Sequence, residues 1–268
     1  MSIRILKGDC LEVMKTLPDA SIDLFVCDLP YGVLSKGNPI RKRFVDGKDT
    51  GTLLQGQTIG ACEWDVKIDL DKFWKEIERL MKNEHTPILH FCNTGFGHEL
   101  ISSKKAWFRY DLIWQKTKAV GFLLANKMPM RSHENIYVFA KKSAYYVRKD
   151  EEGDFKGYTG GKLRAGLVYG TGLYNRSGGE GKRCVKSIVP IGSVSKHGNH
   201  PTQKPADLYK WLLERYCPVG GTILDPTAGS FTSCFTARDM GLHAIGIEMN
   251  DAYFKKAEER ARPVVLEE

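Results

Sequence analysis

The sequence predicts an α/β protein in which helices cover both faces of a mostly parallel sheet. Short apolar segments alternate with segments of helical period through much of the 268 residues, which is typical of this class. Two apolar segments, 22–27 and 222–224, are each followed at once by an acidic residue. Because parallel strands bring their carboxyl ends to one edge, we expect the two acidic groups to share a cleft.

Seven strands are predicted from short runs of apolar and β-branched residues, namely 4–6, 23–27, 87–92, 111–114, 135–140, 222–224 and 244–247. Five helices are predicted from apolar residues spaced three and four apart, namely 11–16, 70–82, 206–216, 231–240 and 253–262. A chain of 268 residues can hold one large domain of this kind and a smaller excursion.

The first acidic group begins the tetrapeptide Asp28-Leu29-Pro30-Tyr31, which suits chemistry on an exocyclic amino group. Such a nitrogen is a poor nucleophile while its lone pair is delocalised into a ring. Hydrogen bonds from its two hydrogens to Asp28 and to a carbonyl of Leu29 or Pro30 would localise that lone pair in the transition state. Tyr31 offers a stacking face for a base that has left the duplex. A plain strand followed by a Pro-Tyr turn is the alternative.

The second acidic group, Asp225, leads into small residues that open a predicted helix, whose free N–H groups suit a polar or anionic ligand. About twenty residues further on, Glu248 has the spacing at which a carboxylate meets ribose hydroxyls. The three glycines of a pyrophosphate-binding loop are absent. A nucleoside cofactor without pyrophosphate, S-adenosylmethionine, therefore fits best. A solvated charge at a strand end is the alternative for Glu248.

Seven segments, in order, resemble the amino-methylating DNA methyltransferases of restriction-modification and phage type. They match most closely the permuted β class, in which the catalytic tetrapeptide precedes the cofactor motif. The segments are 8–12, 28–32, 112–116, 133–136, 200–205, 225–230 and 245–248, and they extend over nearly the whole chain. The resemblance implies the Rossmann-like class I fold of S-adenosylmethionine-dependent methyltransferases. That fold has seven strands in the order 3-2-1-4-5-7-6, one of them antiparallel.

The resemblance also implies a function and a set of site residues. The protein would transfer a methyl group from S-adenosylmethionine directly to adenine N6 of a flipped base in double-stranded DNA. The catalytic residues would be Asp28, Leu29, Pro30 and Tyr31. The residues around the cofactor would be Asp9, Cys10, Thr202, Lys204, Asp225, Thr227, Ala228, Gly229, Ser230 and Glu248. For Thr202 and its neighbours a simple helix start is the alternative, and their single histidine predicts no metal site.

Two positions depart from the family pattern. Leu29 stands where a proline is common, but Pro30 still holds it in an extended conformation, so its carbonyl should keep its place. Phe231 stands where the family usually has a second glycine, so its side chain should point away from the cofactor.

Three other functions are alternatives to adenine methylation. By resemblance, a tetrapeptide that begins with aspartate usually accompanies adenine, and one that begins with serine more often accompanies cytosine N4. Cytosine N4 is the nearest alternative. A DNA-binding protein that keeps the fold without turnover is an alternative of another class, against which Asp28, Tyr31, Asp225 and Glu248 all count. Methylation of RNA or protein is a third.

Nearly all of the net charge of +8 lies in one stretch, 141–197, which has twelve Lys and Arg against five Asp and Glu, a net of +7. Basic side chains on glycine-rich loops suit phosphate contacts, so 141–196 is predicted to be the target-recognition region. The remainder, 1–140 and 197–268, would be the catalytic and cofactor-binding domain. A solvated insertion is the alternative. The candidate DNA contacts there are Arg164, Arg176, Lys182 and Arg183.

A second irregular stretch, 33–63, leaves directly from the catalytic tetrapeptide and is too long for an ordinary connection. We interpret it as a flap that orders over DNA, with an insertion that makes no contact as the alternative. Its candidate DNA contacts are Arg41, Lys42 and Arg43.

The composition excludes several classes of protein. No apolar run is long enough to span a membrane, and the start of the chain lacks a signal-peptide pattern. The seven cysteines contain no C-x-x-C pair and predict reduced core residues, with neither zinc nor a disulfide framework. We therefore expect a soluble intracellular protein. The resemblance implies a cytoplasmic, nucleoid-associated monomer or homodimer in a bacterial or phage-infected cell. Double-stranded DNA would be its partner, and a companion restriction endonuclease a second one.

Overall fold

The computed structural model describes residues 1–32, 65–152, 181–193 and 203–261. Between these ranges it describes the backbone of two short antiparallel ladders, Phe44–Val45 with Lys48–Asp49 and Leu163–Arg164 with Leu173–Tyr174. No helix in the described ranges is long and apolar enough to cross a membrane.

The main sheet has eight strands among the described residues: β1 (Ile3–Lys7), β2 (Leu24–Cys27), β3 (Ile88–Cys92), β4 (Phe108–Val120), β5 (Arg131–Phe139), β6 (Ile188–Pro190), β7 (Thr222–Asp225) and β8 (His243–Glu248). Their order across the sheet is β1-β8-β7-β2-β3-β5-β4-β6. Only β5 runs antiparallel to its neighbours in this sheet. When the strands are numbered from β7, with β1 following β8, the first seven have the order 3-2-1-4-5-7-6. The predicted fold class is therefore confirmed.

Six α-helices occur in the described ranges: α1 (Cys10–Met14), α2 (Leu70–Leu80), α3 (Thr94–Ser103), α4 (Ala206–Tyr216), α5 (Thr232–Asp239) and α6 (Asp251–Ala261). Helix α2 shows how local sequence sets an element. Asp69 caps it by accepting hydrogen bonds from the N–H groups of Asp71 and Lys72. Its apolar residues Phe73 and Ile77 recur at a spacing of four, so they face the sheet together.

Some sequence predictions differ from the structure in extent or miss an element. Strands β4 and β5 are longer than the predicted 111–114 and 135–140, because polar residues continue them beyond the core. Helix α3 was not predicted, since two glycines in its first turns obscure its period. One of them, Gly97, lies against the Tyr137 ring, where an added Cβ would approach within 2.6 Å. The edge strand β6 was not predicted either and falls within the segment expected to be irregular.

The sheet separates two buried apolar layers, and alternate residues of one strand enter different layers. Leu24 and Val26 of β2 face the layer of α4 and α5, whereas Phe25 and Cys27 face the layer of α1, α2 and α3. This period of two explains why the central strands are apolar throughout. Among the described residues, five cysteines are buried with free thiols, namely Cys10, Cys27, Cys92, Cys217 and Cys234, and Cys184 is exposed.

The chain divides into two compact units. The first comprises Met1–Tyr145 and Ile188–Glu268, and it contains the main sheet. The second comprises Tyr146–Ser187, where Glu151–Glu152 pairs with Lys182–Arg183 in an antiparallel ladder. The predicted recognition region, 141–196, includes the whole of the second unit and extends into the first.

Candidate active site

A cavity of about 710 Å³ opens at the carboxyl ends of β2, β7 and β8, in the size range of small-molecule sites. The starts of α1 and α6 and the segment 65–69 complete its wall. All thirteen predicted catalytic and cofactor residues that the structure describes line it: Asp9, Cys10, Asp28, Leu29, Pro30, Tyr31, Lys204, Asp225, Thr227, Ala228, Gly229, Ser230 and Glu248. Thr202 lies outside the described residues.

Asp28 follows β2 directly and is held by contacts at both carboxylate oxygens. Its Oδ2 accepts a hydrogen bond from Lys204 Nζ at 2.6 Å, and its Oδ1 accepts one from the Tyr31 hydroxyl at 3.0 Å. Its main-chain carbonyl accepts a hydrogen bond from the Thr227 hydroxyl at 3.1 Å. This last contact joins the catalytic tetrapeptide to the loop that follows β7.

Lys204 is 94% buried at its side chain and lies between two carboxylates. Its Nζ is 3.4 Å from Glu134 Oε2, an ion-pair distance without a formed hydrogen bond, and Glu134 Oε1 in turn pairs with Lys116. Burial alone would lower the pKa of Lys204, but Asp28 and Glu134 outweigh it and raise the pKa. Burial would likewise raise the pKa of Glu134, but Lys204 and Lys116 lower it. Both shifts favour the charged forms of Lys204 and Glu134.

Tyr31 stacks on Phe96, with ring centroids 5.1 Å apart and an angle of 27° between the rings. Burial and the Asp28 carboxylate raise the pKa of Tyr31 well above its usual value, so its hydroxyl stays protonated and donates. Asp65, which is buried, accepts a hydrogen bond from the Gly32 N–H at 2.9 Å and fixes the chain after the tetrapeptide.

Glu248 ends β8 and binds the loop after β7. Its Oε2 accepts a hydrogen bond from the Gly229 N–H at 2.8 Å, and its Oε1 accepts one from the Asn250 N–H at 2.6 Å. Each carboxylate oxygen has a second lone pair, so the group can still accept from a ligand hydroxyl. Glu248 therefore shapes the loop as well as facing the cavity, which its spacing alone did not show.

Asp225 is buried at the end of β7 and braces the same loop. It accepts hydrogen bonds from the Thr227 N–H at 3.2 Å and from the Ser233 hydroxyl. Burial raises the pKa of Asp225 to about 7 despite these two donors. Asp225 thus links the loop after β7 to α5, and it also lines the cavity.

Phe231 points away from the cavity, as the sequence predicted. It has a left-handed backbone conformation, with φ of 55°, and is fully buried in the layer of α4 and α5. Gly246 on the neighbouring strand leaves room for the ring, since a Cβ added there would approach it within 2.6 Å. The departure from the family pattern is therefore accommodated by a glycine fifteen residues later in the chain.

Asp9 and Cys10 form the start of α1 at the cavity wall. Asp9 Oδ1 accepts hydrogen bonds from the N–H groups of Leu11 at 2.8 Å and Glu12 at 3.3 Å, which caps the helix. Burial raises the pKa of Cys10 to about 12, so its thiol stays protonated.

Sequence reasoning missed four side chains at this site: Lys116, Glu134, Asp65 and Asn250. The first two lie in segments that resembled the family but were given no role. The signal that could have identified them is charge, because a lysine and a glutamate beside apolar strand residues need partners when buried.

The predicted DNA contacts are less well described. Arg41, Lys42, Arg43 and Arg176 lie outside the described residues, and only the backbone of Arg164 is described. Lys182 and Arg183 are exposed and are paired in register with Glu152 and Glu151. In the described ranges, no cluster of three His, Cys, Asp or Glu residues could hold a metal ion.

Comparisons with known proteins agree with this geometry. The family model of N6 and N4 methyltransferases, described as DNA methylase, matches residues 22–259. The type II methyltransferase M.HinfI of Haemophilus influenzae is 28% identical over 276 residues, covering 97% of this chain and 68% of the relative. Among solved structures, the M1.HpyAVI–SAM complex has a TM-score of 0.57 and 16% identity, covering 97% of this chain and 100% of that one. The cytosine-N4-specific PvuII DNA methyltransferase has a TM-score of 0.62 and 14% identity, and the match covers 100% of this chain and 89% of that one. Because the family match extends over most of its length, the chain belongs to the N6/N4 family of DNA methylases.

Proposed function

We propose that this DNA methylase transfers a methyl group from S-adenosylmethionine to adenine N6 in double-stranded DNA. The observation that carries the proposal is the shared cavity, where the Asp28 tetrapeptide and the loop held by Glu248 meet at the ends of adjacent strands. The hydrogen bond from Thr227 to the Asp28 carbonyl joins the two halves directly.

The residues present fit S-adenosylmethionine. Small residues, Ala228 and Gly229, border the cavity, so a ligand can approach the main chain closely. Glu248 has acceptor capacity left for ribose hydroxyls, and Asp9 and Cys10 lie on the same wall. When bound, the cofactor supplies an electrophilic methyl group on a sulfonium centre and leaves as a neutral thioether.

Asp28 and its neighbours act on the nucleophile. The carboxylate accepts a hydrogen bond from the amino group, and a carbonyl of Leu29 or Pro30 accepts the other hydrogen. These bonds localise the nitrogen lone pair as its bond to carbon forms, and the nitrogen releases one proton in the reaction. Tyr31 already packs one face on Phe96, and we assign the opposite face to the flipped base.

The hairpin between β4 and β5 supports double-stranded DNA as the partner. Residues 116–131 carry four Lys and Arg and no acidic residue. Strand β4 runs parallel to the strands that line the cavity, so its end lies at the same edge of the sheet as Asp28. Lys118, Lys127 and Arg131 are exposed there, beside the apolar Phe122, and suit contact with phosphates and bases.

The choice of adenine rests on the aspartate at position 28, and nucleoside analysis of methylated DNA tests it. Plasmid DNA incubated with the protein and S-adenosylmethionine should contain N6-methyladenine. N4-methylcytosine instead would make adenine the wrong base, and unmodified DNA would favour a protein without turnover.

The Asp28→Ala variant should lose on the order of 100-fold or more in turnover, because the carboxylate acts in the transition state. Its cofactor affinity should change little, and near-normal activity would remove Asp28 from the site.

Glu248→Ala tests the cofactor half of the site. Cofactor binding should weaken by about 1.5 to 3 kcal/mol, since hydrogen bonds to a charged group are lost. The methylated DNA sequence should stay the same. Calorimetric titration measures the affinity, and Glu258→Ala, at an exposed position on α6, is the matched control. Equal affinities for parent and Glu248→Ala would leave Glu248 as a loop-bracing residue only.

A further inference from the structure

We propose that Lys204, Glu134 and Lys116 form a buried chain of alternating charges that positions the Asp28 carboxylate for the reacting amino group. The inference rests on the proposed function of Asp28. Lys204 is the positioning residue that touches Asp28, and Glu134 and Lys116 hold Lys204 in place. This assignment differs from the sequence expectation, which put Lys204 against the cofactor.

The contacts form one continuous series across three elements. Lys116 lies on β4 and Glu134 on β5, where the two strands are neighbours, and Lys204 immediately precedes Pro205, the residue before α4. Lys116 pairs with Glu134 Oε1, Lys204 lies 3.4 Å from Glu134 Oε2, and Lys204 donates to Asp28 Oδ2 at 2.6 Å. The rings of Trp114 and Phe91 cover the two ammonium groups at 4.8 and 5.0 Å.

Alternation of sign explains why two lysines and two acidic side chains can lie together. Two lysines and two carboxylates alternate, so the chain is neutral, and burial of each charge is compensated by a partner. The exposed fractions of the side chains are 12% for Lys116, 20% for Glu134, 6% for Lys204 and 25% for Asp28. Asp28, Glu134 and Lys204 all border the cavity, and Asp28 has the largest exposed fraction of the four side chains.

The hydrogen bond from Lys204 to Oδ2 of Asp28 sets the orientation of the Asp28 carboxylate. A carboxylate can rotate about its last bond, and a charge-assisted hydrogen bond at Oδ2 restricts that rotation. Oδ1 then keeps one orientation, in which its present partner is the Tyr31 hydroxyl. A preset acceptor needs no reorganisation when the amino group arrives, which is the source of the expected rate effect.

The same arrangement gives a role to three of the matched segments. Segments 112–116, 133–136 and 200–205 resembled the family but carried no assigned chemistry beyond the cofactor expectation for Thr202 and Lys204. One charged residue from each now belongs to a single contact series that ends at the catalytic carboxylate.

The test measures single-turnover methylation and cofactor affinity for Lys204→Met, Lys204→Arg and Glu134→Gln. Lys204→Met should lower the rate at saturating DNA and cofactor by about 10- to 100-fold, because displacement of a reacting group by about 1 Å can cost on the order of 100-fold. Cofactor affinity should stay within about twofold of the parent, and Lys204→Arg should recover part of the rate because it keeps the charge. Glu134→Gln should fall between Lys204→Met and the parent. The control is Lys82→Met, which breaks the Lys82–Asp23 pair at the opposite end of β2.

A double-mutant cycle with Asp28→Asn separates this inference from the proposed function. If Lys204 acts through Asp28, Lys204→Met should have little further effect on the rate once Asp28 is replaced. The same cycle, measured by chemical unfolding, should show coupling between the two residues whether or not the parent methylates DNA. An inactive parent would overturn the proposed function, whereas absent coupling in unfolding would overturn the charge chain.

Other outcomes are equally decisive. A Lys204→Met protein with weakened cofactor binding and a normal saturated rate would make Lys204 a cofactor ligand and overturn the inference. If Lys204→Met does not fold, Lys116→Met is the substitute, because Lys116 reaches Asp28 only through Glu134 and Lys204. It should still lower the saturated rate several-fold with unchanged cofactor affinity. A rate equal to that of the Lys82→Met control would overturn the inference.

Discussion

At the scale of single residues, His90 is a buried polar side chain whose desolvation is not offset by a hydrogen bond within the described structure. It lies in the middle of β3, and the rings of Phe73, Trp74 and Phe139 meet it edge-on at 5.3 to 5.6 Å. Neither ring nitrogen has a hydrogen-bond partner among the described residues. Burial lowers the pKa of His90 to about 3, so the folded protein keeps it neutral.

His90 should therefore make the free energy of unfolding depend on pH. Below the usual value of 6.5 the unfolded chain binds a proton that the folded protein excludes until about pH 3. The contribution of His90 to the free energy of unfolding is therefore largest above pH 6.5 and decreases as the pH falls. At pH 5 the free energy of unfolding should be lower by about 2 kcal/mol because of this group. In His90→Leu the decrease between pH 7.5 and 5 should be smaller by that amount, measured by chemical unfolding. The exposed His98→Leu is the control, and equal pH dependence in His90→Leu and the parent would contradict the prediction.

At the scale of elements, the start of α5 depends on a residue in the neighbouring strand. Phe231 has a left-handed backbone, which costs roughly 1 to 2 kcal/mol for a residue other than glycine. Its ring is fully buried, which contributes about 1.5 to 3 kcal/mol in return. The burial is possible because Gly246 of β8 has no side chain in that space. The packing of helix α5 against strand β8 thus depends on the combination of Phe231 and Gly246.

Gly246→Ala should destabilise the protein by about 1 to 3 kcal/mol, because its methyl group would overlap the Phe231 ring. The cost should be smaller in a Phe231→Gly background, where the ring is gone, although Cys234 Sγ still lies 2.7 Å from the added carbon. Chemical unfolding of the four proteins of this cycle measures the coupling. If the effects of the two substitutions on the free energy of unfolding were additive, Gly246 and Phe231 would be uncoupled and the prediction would be wrong.

At the scale of the whole molecule, the protein is basic, and two surfaces in the described part of the chain carry candidate DNA contacts. The first is the β4–β5 hairpin with Lys118, Lys127 and Arg131, and the second is the Tyr146–Ser187 unit with Lys182 and Arg183. In the second surface each of the two cations lies opposite a glutamate in the strand ladder, so the four residues of the ladder carry no net charge. We therefore expect the hairpin to contribute more to the salt dependence of DNA binding.

Reversal of the three hairpin cations to glutamate should make the slope of log affinity against log salt shallower by roughly one unit per lost phosphate contact. Reversal of Lys182 and Arg183 should have a smaller effect per residue. In the control variant, Lys75, Lys105 and Lys210 are replaced by glutamate. These positions are exposed and away from the cavity, and the change in net charge equals that of the hairpin variant. Cofactor affinity should be unchanged in all three. If the control and the hairpin variant had the same slope, the effect would be one of net charge alone.

The sequence by itself determined the fold class through local patterns and the family through seven matched segments. The order of the sheet followed only as what that resemblance implied. Apolar runs mark strands, and an acidic residue after such a run marks its carboxyl end, as Asp28 and Asp225 do. Matched segments in a fixed order then identify the family over most of the chain. The extents of β4 and β5 and the existence of α3 escaped prediction, since polar residues and glycines obscured their periods.

Only the tertiary structure decided which side chains meet at the site. Lys116, Glu134 and Lys204 are far apart in the chain, and their contacts exist because β4 and β5 pair and the segment before α4 returns to the same edge. The partners of Glu248, the brace that Asp225 provides and the space left by Gly246 have the same origin. Short-range patterns report the conformation of a segment, whereas ion pairs and packing depend on distances that folding alone sets.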